Sequence, residues 1–142
     1  MITRLFLLLC LACLAPTAAL AAKFEAILVV ASKDAGKTDP RLAPYAPNLK
    51  RLLRFESFQQ AGKGRADIGI PGSGTINIGA GQTLNLTTSG DPKSGPRVQI
   101  KWQQGDRLLM NTGLVLRPGV PAVLGGPATP NGGVYAVILT AN

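Results

Sequence analysis

Apolar residues run almost unbroken from Phe24 to Ala31, and several of them are β-branched. Such a run predicts a strand buried on both faces, in the middle of a sheet. After Asp39 the period changes. Leu42, Tyr45, Leu49, Leu52 and Leu53 recur at three- and four-residue steps, with Lys50, Arg51 and Arg54 opposite. This is the pattern of an amphipathic helix over about 45–54 whose cations sit in the last turn, where the helix dipole favours them. Pro40, Pro44 and Pro47 suit first-turn positions, so a short turn around 40–43 is expected before the regular helix.

From Phe55 onward the spacing becomes two, broken by glycine and proline every 8–12 residues. The expected strands are Phe55–Ala61, Arg65–Ile70, Thr75–Ile78, Thr83–Thr88, Arg97–Gln103, Arg107–Leu116, Ala122–Leu124 and Val134–Thr140. Ala80-Gly81 and Gln104-Gly105 read as hairpin turns, and Pro118-Gly119 as the centre of a type II turn. Val98, Ile100 and Trp102 share one face, with Arg97, Gln99, Lys101 and Gln103 on the other; Leu108, Met110, Leu114 and Leu116 form the matching apolar face of the next strand. Thr75, Asn77, Thr83, Asn85 and Thr87 point outward. Val134 to Leu139 is apolar on both faces, like the first strand. Two doubly buried strands plus one helix imply layers. The expected fold is mainly β (α+β), an antiparallel β-sandwich-like body with one amphipathic helix packed on a sheet.

The N-terminus has a different character. Arg4 precedes an apolar run from Leu5 to Leu14, Pro16 breaks it, and Ala19-Leu20-Ala21 sets small residues at the spacing of a signal-peptidase site. Residues 1–22 are therefore expected to be a cleaved signal peptide, and 23–142 a single β-rich domain, exported to the periplasm or outside the cell. The apolar run is too short for a permanent transmembrane anchor. Leu11-Ala12-Cys13 suggests an alternative, a lipoprotein modified at Cys13, but Cys10 stands where such a site usually has Leu.

Cleavage changes the available chemistry. The chain has 15 Lys and Arg against 7 Asp and Glu, no His and 2 Cys. Both cysteines and one cation, Arg4, lie in the leader, so the mature domain is cysteine-free, histidine-free and strongly basic. Ser-His-Asp triads, Cys-His nucleophiles, ordinary zinc sites and His-ligated haem all lose their residues. No catalytic residue, metal ligand or cofactor is expected. Asp34, Asp39, Asp91 and Asp106 sit in turn-like stretches and read as turn and cap residues. Of the other three, Glu25, Glu56 and Asp67, the pair Glu56 and Asp67 offers an alternative reading, a small carboxylate-dependent hydrolase.

Three motifs compete with plain scaffold. Ala31-Ser32-Lys33-Asp34-Ala35-Gly36-Lys37-Thr38 follows a buried strand and satisfies a loose phosphate-loop pattern, but Asp39-Pro40 follows at once and no apolar run ends in a metal-holding Asp. It reads as a polar surface loop, with no nucleotide partner. Lys50, Arg51 and Arg54 form a helix-face cluster, and Arg97 and Lys101 share an exposed strand face; these five are the candidate binding residues, for an acidic protein or an anionic envelope polymer. Nucleic acid is not the expected partner, because the aromatics read as core instead of stacking platforms. The outward Thr/Asn ladder from Thr75 to Thr87 offers a third possibility, a polysaccharide-binding face.

Two segments together carry a family resemblance. Asp39-Pro40-Arg41-Leu42-Ala43-Pro44 leads to Leu53-Arg54-Phe55-Glu56-Ser57-Phe58, and Leu116-Arg117-Pro118-Gly119-Val120-Pro121 leads through Gly125-Gly126-Pro127 and Gly132-Gly133-Val134 to an apolar last strand. This resembles a group of small exported bacterial β-rich proteins of unknown function. The resemblance implies export and a β-rich domain, and supplies no catalytic residue. The reading that follows is an exported, non-catalytic binding or assembly module of the cell envelope.

Overall fold

The computed structural model describes residues 21–33, 38–91 and 95–142. Most of the expected leader and the Asp34–Lys37 part of the phosphate-loop match lie outside them. The first strand, β1 (Ala21–Ser32), leads through a 3-10 turn (Pro40–Leu42) and a helix, α1 (Ala46–Leu53), to β2 (Ser57–Gly69). Six further strands follow: β3 (Gly72–Gly79), β4 (Gln82–Ser89), β5 (Arg97–Gln104), β6 (Arg107–Val115), β7 (Ala122–Ala128) and β8 (Val134–Ala141).

Two antiparallel four-stranded sheets result, ordered β2-β1-β8-β7 and β3-β4-β5-β6. Chain neighbours pair within each sheet, and β8 returns to pair with β1, so the strands circle the core in sequence order. The chain passes from the first sheet to the second through a cis Ile70–Pro71 bond. This is the expected sandwich, and its third layer is the helix.

Alternation in β1 separates two cores. Phe24, Ala26 and Leu28 face inward and meet Ile76, Leu84, Leu86, Val98, Ile100 and Trp102 of the second sheet, all fully or almost fully buried. Ile27, Val29 and Ala31 face the other way and meet Leu42, Leu49, Phe58, Ala136 and Ile138. β1 is buried on both faces because a sheet covers one side and the helical segment the other. Asp39 starts that segment: its carboxylate accepts from the Arg41 backbone N–H at 3.0 Å and from the Arg41 guanidinium at 2.7 Å, the cap role expected of it.

Three expectations change. Phe55–Ala61 and Arg65–Ile70 are one continuous strand, β2, because Gly62 and Gly64 mark a close approach and not a turn. A β-carbon at Gly62 would overlap the Ile78 carbonyl oxygen of β3, and one at Gly64 the Asn77 carbonyl. Leu108 does not join the inward face of β6. A bulge between Trp102 and Gln103 sets Leu108 opposite Gln103, and it is exposed; an added residue flips every side chain beyond it. That hairpin also turns one residue later than expected, at Gly105-Asp106.

Candidate functional site

The five cations expected to bind fall on opposite sides of the molecule. Lys50 and Arg51 stand in the last turn of α1, and Arg54 follows as its C-cap in the left-handed conformation, with its N–H donating to the Lys50 carbonyl at 3.2 Å. All three are exposed. The inner side of this helix is fixed by Leu49, fully buried, and by Leu53, which lies against Gly125 of β7. Leu52 remains 56% exposed on one flank. Arg51 donates to the Asn48 amide oxygen at 3.3 Å, and no carboxylate among the described residues forms an ion pair with Lys50, Arg51 or Arg54.

Arg97 and Lys101 project from the outer face of the second sheet, away from the helix. Here Arg97, Gln99, Gly113, Leu114 and Val115 line a hollow of about 270 Å³. The outward ladder is present across this face, and part of it is bonded to itself and to the neighbouring strands, whereas the Thr83 and Thr87 hydroxyls make no hydrogen bond among the described residues. Thr75 donates to Asn85 at 2.7 Å, Asn85 to Gln103 at 2.9 Å, and Gln99 to Asn111 at 2.7 Å. Amides and hydroxyls paired in this way brace the sheet from outside and leave fewer groups for a ligand.

The residues proposed for a hydrolase are not brought together. Glu56 precedes β2, and Asp67 lies near its far end, opposite Lys23. At the rise of an extended strand they are roughly 35 Å apart. Among the described residues no group of three His, Cys, Asp or Glu is placed to hold a metal ion, and no helix is long and apolar enough to cross a membrane.

A cleft of about 230 Å³ lies elsewhere, on the outer face of the first sheet. The cause is geometric: eight helical residues span only about 12 Å, whereas the twelve of β1 extend for about 40 Å. The helix therefore leaves the Glu25 end of the sheet uncovered. Tyr45, just before α1, forms one wall, and Gly119 and Pro121 of the β6–β7 connection form the other. That connection is held by the Gly119 N–H, which donates to the Ala141 carbonyl at 2.8 Å, and by the Arg117–Val120 turn. Ile27 and Ile138 form the floor, with Glu25, Thr140 and Asn142 around it. Glu25 accepts from Lys63 of β2 at 2.8 Å. The side chains of Tyr45, Thr140 and Asn142 make no hydrogen bond among the described residues.

Sequence reasoning placed Tyr45 in the core and passed over Glu25 and Thr140. The available signal was polarity: each is a polar residue at an outward position of an otherwise apolar strand. What the pattern could not show was which part of the sheet the helix leaves open. Comparison of the chain with protein-family models, curated proteins and solved structures yields no match.

Proposed function

We propose that the protein is exported to the bacterial cell envelope and serves there as a non-catalytic binding module that docks an acidic protein on the outer side of α1. The observation carrying this reading is the set of three neighbouring cations, Lys50, Arg51 and Arg54, exposed on a well-anchored helix with no carboxylate among the described residues in ion-pair contact. Charges left uncompensated in this way steer an oppositely charged partner and fix its orientation. Leu52 at the edge of the cluster adds an apolar contact that charge alone lacks. The export part of the reading rests on Arg4, the Leu5–Leu14 run and the Ala19-Leu20-Ala21 site.

The test is recovery of partners from envelope extract by the wild type and by a Lys50→Ala/Arg51→Ala/Arg54→Ala variant, followed by identification of what is retained. An acidic protein held by the wild type, released by salt and reduced at least about tenfold by the triple substitution, is the expected result. Equal recovery by the two proteins overturns the helix surface; retention of an anionic polymer in place of a protein overturns the partner class.

A further inference from the structure

The cleft and the polar ladder differ in one property that bears on ligands. On the second sheet Thr75, Asn85 and Gln103 bond in series, and Gln99 bonds to Asn111, on a face that is open to solvent between them. Tyr45, Thr140 and Asn142 line the cleft, and their side chains make no hydrogen bond among the described residues. Side chains that converge on a concavity while unpaired offer donors and acceptors to whatever enters it.

We propose that this cleft binds one ring of a neutral sugar. Charge favours a neutral ligand: Glu25, the one charged side chain among the described residues that lines the cleft, is already compensated by Lys63 at 2.8 Å. The remaining chemistry suits vicinal hydroxyls. The Glu25 carboxylate accepts from them, the Asn142 amide both donates and accepts, and the Tyr45 and Thr140 hydroxyls do either. The apolar floor of Ile27 and Ile138 and the Tyr45 ring meet the C–H face of the ring, as an aromatic with an apolar body and a polar tip can. At about 230 Å³ the space lies below the usual range of drug-sized pockets, which limits it to a single ring. A polymer chain can leave it through the open side.

The site is separate from the cationic face of α1, and one experiment addresses it alone. Backbone amide shifts of the protein would be followed by NMR during titration with glucose, with N-acetylglucosamine, and with the tetramer of each, at roughly 0.5 M NaCl, where exposed charge pairs are screened. Expected are shifts at Ile27, Tyr45, Gly119 and Thr140 with Kd on the order of 0.1–1 mM. Tighter binding of a tetramer than of its monomer identifies a polymer source, and equal affinity a free sugar; either supports the site. Tyr45→Phe, which keeps the packing and removes the hydroxyl, and Thr140→Val should each weaken binding about threefold to tenfold, while the Lys50→Ala/Arg51→Ala/Arg54→Ala variant binds as the wild type does. No shift in the cleft with any of the four sugars overturns the proposal. Affinity unchanged in a Tyr45→Phe/Thr140→Val double variant overturns it as well.

Discussion

Trp102 is the largest fully buried side chain in the core, and its indole N–H cannot be left unpaired there without cost. It donates to the Gln82 amide oxygen at 2.8 Å, and Gln82 is itself fully buried. The Nε2 of Gln82 finds no acceptor among the described residues. The pair therefore satisfies one polar atom of the core while leaving another unmet. Gln82→Leu strands the indole N–H and should lower stability by about 1–3 kcal/mol in urea unfolding. Trp102→Phe strands the amide oxygen instead. The Gln82→Leu/Trp102→Phe double variant removes both polar groups and should lose less than the sum of the singles, by roughly 1 kcal/mol or more. Strict additivity would show that the bond contributes nothing. Asp39 allows a second measurement at this scale. Its hydrogen bonds from the Arg41 side chain, and then from the Arg41 backbone, hold its carboxyl down from 3.8 to about 2. A carboxyl with a depressed folded-state value stabilises the fold above its unfolded value, and that contribution fades as pH falls through the folded one. Asp39→Asn should accordingly lower the Tm near neutral pH and reduce the difference from wild type between about pH 4 and pH 2.

At the scale of elements, most of the architecture is legible in the sequence, because burial sets the period of each segment. The doubly apolar β1 and β8, the α1 stripe with its prolines ahead of it, and the alternation in β4 and β5 all follow from what each face touches. The failures share a cause. Gly62-Lys63-Gly64 has the composition of a turn, yet the glycines of β2 face inward where β3 crosses. A glycine reports that a side chain is unwelcome, and neither composition nor spacing states whether a turn or a neighbouring backbone excludes it. Leu108 failed for a related reason. The period-two reading assumes an unbroken ladder, and one extra residue at Leu109 inverts the strand beyond it. The cationic helix face was legible because it depends on one element. The cleft was not, since it forms from the start of α1, two strands and the β6–β7 connection, and depends on how far a short helix reaches across a long sheet.

At the scale of the molecule, the described residues form a ring of eight strands with two seams, between β2 and β3 and between β6 and β7, where neighbours belong to different sheets. The seams are built differently. At the first, the inward positions of β2 are Gly62, Gly64, Ala66 and Ile68, and the shortest of these lie directly against the β3 backbone. Close contact there lets the two sheets join at a corner and brings Ile68 into the core beside Ile76. On β6, beside the second seam, Gly113 is exposed on the outer face; the Gln99 amide oxygen stands 2.9 Å from where a β-carbon would be, and the nearest backbone atom, the Val98 carbonyl oxygen, is at an ordinary 3.8 Å. This asymmetry gives a paired prediction. Gly62→Ala sets a methyl into the Ile78 carbonyl, which belongs to a backbone held on its far side by β4, so β2 must separate from β3. The expected loss is about 3 kcal/mol or more in urea unfolding, at the upper end of overpacking costs. Gly113→Ala displaces only the far end of the Gln99 side chain, at the expense of its exposed hydrogen bond to Asn111, and should cost no more than about 1 kcal/mol. Equal effects at the two positions would show that the β2–β3 corner is not what joins the sheets.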